Sequence, residues 1–141
     1  VIPIKTPQEI EKMRAACKLA SAILKELSAM LCPGITTKEV DQAGAKLMED
    51  AGCRSAFLGY RRFPGHICIS VNEEVVHGIG GSRRIQYGDV VKLDIGVVLD
   101  GFVGDTAATI PIGLVSEDVQ RLLSVTEDAL KKGIGKVREG R

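Results

Sequence analysis

The stretch VVKLDIGVVLDGFVGDTAATIPI, from Val90 to Ile112, limits the fold more than any other part of the chain. Two runs rich in apolar and β-branched residues flank Asp100-Gly101. A two-residue type I′ turn needs positive φ at both central positions, which Asp-Gly tolerates well. With that turn, Leu99 faces Phe102. Counting back, Gly96 falls opposite Asp105 and Asp94 opposite Ala107. Directly paired residues project on one face of a sheet. Asp94 and Asp105 are then diagonal neighbours on one face, about 7–8 Å apart at their Cα atoms. Gly96 and Ala107 leave open space beside them. A three-residue loop would send Asp105 to the opposite face.

Two carboxylates converging on one sheet face repel, and an uncompensated pair titrates upward. A divalent metal resolves the repulsion, because carboxylate oxygens suit Mg, Mn, Fe, Co or Zn. A hydrogen-bonded buried aspartate or a neutralising lysine is the alternative, and spacing alone leaves both open.

The rest of the chain supplies helices. TPQE at Thr6–Glu9 has the form of a capping box, with Pro7 suited to the first helical turn. Ile10, Met13, Cys17, Ala20, Ile23 or Leu24, Leu27 and Leu31 follow at helical spacing. Cys32-Pro33-Gly34 ends that helix. Thr36 and Glu39 open a second, with Val40, Ala43, Leu47 and Met48 as its buried face and Gly52 as its stop. From Cys53 the composition turns to strands. AFLGY, HICISV and EVVHGI are strand candidates, VNEE is a turn and SRRIQYGD a polar loop. A last helix begins at Ser116, its inner face formed by Val119, Leu122, Leu123, Thr126, Ala129 and Leu130. Helices, then strands, then a helix make an α+β domain.

At 141 residues the chain suits one compact domain with a real core. A net charge of +1, few aromatics and no Trp argue against a nucleic-acid platform. Arg61-Arg62 and Arg83-Arg84 read most simply as solvated loop charges. No apolar run is long enough to cross a bilayer, and the N-terminal residues lack the apolar core of a signal peptide. Cys17, Cys32, Cys53 and Cys68 form no C-x-x-C pair, which suggests reduced, mostly structural thiols in a cytosolic setting. His77 interrupts an apolar context, and alone it reads as a structural histidine. No nucleophile motif or phosphate loop is supported.

FLGYRRFPGHICISVNEEVVHGIG, followed by YGDVVKLDIGVVLDGFVGDTA, closely resembles the type I methionine aminopeptidases. IKTPQEIEKMR and PGITTKEVD extend the resemblance over nearly the whole chain. It implies the pita-bread fold, two pseudo-symmetric α+β halves around a dinuclear metal site. Residues 1–141 would be the N-terminal half, an antiparallel sheet with helices packed on one face. The resemblance gives Asp94 a metal chelated by both its oxygens and makes Asp105 a bridge between two divalent ions (Co, Mn, Fe or Zn). It sets His77 at the scissile amide, with Tyr60, Phe63 and Cys68 lining the methionine pocket. An apolar, soft lining suits a thioether.

The implied reaction is hydrolytic removal of the N-terminal methionine from nascent proteins in the cytoplasm, with the ribosome as a further contact. Phe57, His66 and Gly80 depart from the usual Cys, Ser and Pro of the family. The family's remaining ligands, a His and two Glu, have no counterpart after Ile112. A second half-domain or self-association is therefore expected to complete the site. The alternatives are a proline-specific pita-bread aminopeptidase and a non-catalytic pita-bread-like binding module.

Overall fold

A computed structural model describes residues 2–140. Its elements, in order, are α1 (Pro7–Met30), α2 (Thr37–Asp50), β1 (Arg54–Ser55), a short 3-10 turn (Tyr60–Arg62), β2 (Cys68–Val71), β3 (Val90–Leu99), β4 (Phe102–Pro111) and α3 (Glu117–Ile134). Both expected capping boxes form. The Thr6 N–H donates to Glu9 Oε2 at 2.7 Å, and the Thr36 N–H to Glu39 Oε2 at 2.7 Å. The Thr6 N–H bond lowers the Glu9 carboxyl below its ordinary range, and the Thr36 hydroxyl, donating to Glu39 Oε2 at 2.6 Å, does the same for Glu39 ahead of the Thr36 N–H.

β3 is the central strand of an antiparallel sheet. It pairs with β4 along its whole length and with β1 and β2 end to end on its other edge. Asp100 and Gly101 take φ of 50° and 82°, as the two-residue turn requires. The register follows: Leu99 pairs with Phe102, Gly96 with Asp105 and Asp94 with Ala107.

Alternation along β3 then separates two environments. Val91, Leu93, Ile95 and Val97 are fully buried beneath Ala20, Ile23, Leu24 and Leu27 of α1 and Val40 and Met48 of α2. Each such side chain contributes about 1.5–3 kcal/mol on burial. Gly104 brings α1 onto β4, since a Cβ there would lie 2.3 Å from the Ala16 carbonyl oxygen. The helix therefore buries Ala16, while the expected stripe members Ile10 and Cys17 are exposed.

Three further expectations are corrected. AFLGY is a turn, because the Ser55 hydroxyl accepts from the Phe57 and Leu58 N–H groups and Gly59 goes left-handed at φ 80°. EVVHGI is irregular and largely exposed, because β2 ends at Val71 and Asn72 reverses the chain at φ 54°. α3 forms with Ser116 as its cap, but none of its described residues is buried. Of its expected inner face, Leu122 and Leu130 lie open and Val119 and Leu123 are only half-buried. Of the cysteines, Cys68 is buried, whereas Cys17 and Cys32 are exposed. Among the described residues, no helix is long and apolar enough to cross a membrane.

Candidate metal centre and cleft

The sheet face turned away from α1 and α2 carries the polar residues. Cys68 of β2 pairs with Asp94, which pairs in turn with Ala107, and Asp105 lies one row along opposite Gly96. Asp94 is half-buried and Asp105 exposed. Burial raises the Asp94 carboxyl above its ordinary value, and the Asp105 charge raises it further, while His77 opposes the shift. The pair is thus held close against its own repulsion, the condition that a cation between the two would relieve. The Cys68 thiol is pushed up to about 11 by burial first and then by Asp94, Asp105 and Asp41. It stays protonated at neutral pH and behaves as a small apolar wall.

The open space expected beside Gly96 is filled. A Cβ at Gly96 would lie 2.5 Å from the Phe57 ring, so the ring packs over the glycine on the carboxylate face. Phe57 was legible only as a departure from a pattern, because its contact with Gly96 is long-range.

The same face floors a cleft of about 890 Å³. Its lining includes all six residues singled out from sequence: Tyr60, Phe63, Cys68, His77, Asp94 and Asp105. Two loops bring the first two and His77 there. The loop between β1 and β2 is closed by side chains that no motif marks. Ser55 Oγ donates to the His66 carbonyl at 2.6 Å. Asp41 Oδ1, reaching from α2, accepts from the His66 N–H at 2.7 Å and the Ile67 N–H at 3.0 Å. Tyr60 stands 63% exposed at the cleft edge, with the Arg61 guanidinium over its ring at 5.6 Å.

His77 takes a left-handed φ of 59°. The next residue, Gly78, is clasped to β2: its N–H donates to Ser70 Oγ at 2.9 Å and its carbonyl accepts from the Ile69 N–H at 2.9 Å. A Cβ at Gly78 would lie 2.1 Å from the Ile69 carbonyl oxygen, so this approach requires glycine. The Thr37 hydroxyl secures the far end, accepting from the Gly81 N–H at 2.9 Å.

Two carboxylates fit a hard or borderline divalent ion, but they offer four oxygens at most. Among the described residues, no group of three or more His, Cys, Asp or Glu side chains could hold a metal. Asp94 and Asp105 alone would leave most of an ion's coordination unfilled.

Paired carboxylates on one sheet face, opening into a cleft, suit a divalent cation by their donor chemistry. The chain belongs to metallopeptidase family M24, which matches residues 11–141. Membership of a metallopeptidase family implies divalent metal. The chain is 44% identical over 140 residues to methionine aminopeptidase 1 of Bacillus subtilis, covering 99% of this chain and 56% of that protein. The crystal structure of methionine aminopeptidase from Thermotoga maritima superposes with a TM-score of 0.94 at 37% identity, over 98% of this chain and 56% of that one. An Xaa-Pro dipeptidase from Bacillus anthracis shares the fold, with a TM-score of 0.85 at 24% identity over 98% of this chain and 38% of that one. The chain thus spans about half the length of the curated relatives it matches.

Proposed function

We propose that residues 1–141 form the N-terminal half of a pita-bread methionine aminopeptidase and supply part of its active site. The observation that carries this reading is the convergence of Asp94, Asp105, His77, Tyr60, Phe63 and Cys68 on one cleft. In this reading the carboxylates of Asp94 and Asp105 would hold the divalent metal. When bound, such ions lower the pKa of water and polarise a carbonyl, which suits amide hydrolysis at neutral pH. Tyr60, Phe63 and Cys68 receive the unbranched thioether of an N-terminal methionine. The His77 imidazole lies at the scissile amide, where an N–H can donate to charge developing on it. The remaining ligands come from a second half-domain or from self-association, because two carboxylates cannot satisfy two ions. Nascent chains as substrates place the activity in the cytoplasm, within reach of the ribosome.

Methionine release from Met-Ala-Ser with added Mn²⁺ or Co²⁺, against a chelator control, tests the reading, and an Xaa-Pro peptide serves as the competing substrate. Release from Met-Ala-Ser that the chelator abolishes supports it. Preference for the Xaa-Pro peptide assigns the proline-specific alternative. His77→Ala should lower kcat with metal affinity retained; loss of metal binding instead would make His77 a ligand.

A further inference from the structure

The cleft holds three cations that the carboxylate chemistry does not use. Arg54, Arg61 and Arg62 line it together with Asp94 and Asp105. The neighbouring loop pair is committed elsewhere: Arg83 is paired with Glu73 and Glu74, and Arg84 donates to the Gly34 carbonyl. Arg54, Arg61 and Arg62 have no carboxylate partner among the described residues. Arg61 and Arg62 also sit at φ of 48° and 68°, consecutive left-handed positions that glycine would fill without steric cost. Strained backbone of this kind gathers at ligand-contacting sites. Arg61 and Arg62 are exposed loop charges, as their sequence reading has it, and they also line the cleft.

Resting on the function proposed above, we infer that this arginine rim selects N-terminal methionine peptides whose following residues are acidic. Such a peptide is dipolar. Its α-ammonium suits the end of the cleft that holds the Asp pair, and its side-chain carboxylates suit the rim. A nucleic-acid strand is anionic throughout and would meet Asp94 and Asp105 unfavourably, so peptide is the better match.

The test is fluorescence anisotropy of dye-labelled, C-terminally amidated peptides on the full chain in chelator, where no hydrolysis intervenes. The peptides are Met-Ala-Glu-Glu-Glu-Ser, Met-Ala-Ser-Ser-Ser-Ser and Met-Ala-Lys-Lys-Lys-Ser. Exposed ion pairs are individually weak, so the acidic peptide should bind about tenfold tighter than the neutral one at low salt. At about 0.5 M salt the ratio should approach one, because exposed charges are then screened. N-acetylation of the acidic peptide should weaken it. In the double variant Arg61→Gly with Arg62→Gly the acidic-to-neutral ratio should fall below about threefold. Equal affinity for all three peptides would overturn the rim's role while leaving methionine recognition standing. Binding by none of them would overturn both. Displacement of the acidic peptide by a single-stranded RNA oligomer at lower concentration than by unlabelled peptide would reassign the rim to phosphate.

Discussion

Asp41 is a helix residue whose carboxylate closes a loop 25 residues downstream. It satisfies two backbone N–H groups and approaches His66 Nδ1 at 3.3 Å. Asp41→Ala should cost about 2–4 kcal/mol in urea unfolding, because it strands donors that are partly out of water. Asp41→Asn keeps one oxygen acceptor and should cost roughly half as much. Cys68 gives a second measurable consequence. Its thiol is pushed up to about 11, so the folded state holds the proton more tightly than the unfolded chain, which ionises near about 8.5. Stability from this group is intact below about pH 8.5 and falls as pH rises toward 11. Iodoacetamide should therefore modify Cys17 well before Cys68 in the folded protein at about pH 8.5, and both alike in urea. Asp94 and Asp105 were legible in sequence because a strand's period of two and a turn's chemistry fix where they point. Asp41 and Ser55 were not, since a buried polar group is recognised by its partners, and these lie across the chain.

At the scale of elements, the β3–β4 hairpin sets the site. Inserting one glycine between Asp100 and Gly101 would turn Asp105 toward α1 and leave Asp94 alone on the cleft face. Calorimetric titration with Mn²⁺ should then lose its heat, whereas a glycine inserted after Gly113, beyond the hairpin, should leave it. The helices, the hairpin and its register could be read in advance because capping boxes and Asp-Gly turns are local. AFLGY and EVVHGI could not. Their composition favours strands, but Ser55 captures the first and Asn72 diverts the second. α3 shows the complementary case: its pattern specified a helix correctly, yet an amphipathic pattern does not say what covers the apolar face.

At the scale of the molecule, one sheet serves two solvents. Its inner face is sealed by α1 and α2, and its outer face holds charge in a cleft. The outer face is under electrostatic tension, since burial and Asp105 together raise the Asp94 carboxyl. As pH falls through that raised value, Asp94 protonates and the tension eases; at neutral pH a bound cation would ease it. Adding Mn²⁺ at neutral pH should raise the melting temperature by linkage. Asp105→Asn should abolish that increase and stabilise the metal-free chain by about 0.5–1 kcal/mol, by removing the repulsion. Unchanged metal response in this variant would remove Asp105 from the ligand set.

β3 has a partner on both edges and a buried face along its length, while the loop from Phe57 to Ile67 rests on the Ser55 and Asp41 contacts. Amide protons of Leu93 and Ile95 should accordingly be among the last to exchange with deuterium, and those of Tyr60 to Arg62 among the first. The carboxylate of Asp94 rides on the central strand, whereas Arg61 and Arg62 ride on that loop. On the function proposed above, replacements in that loop would alter which peptides are admitted without disturbing the spacing of the acids, leaving selectivity free to diverge among descendants that keep the same chemistry.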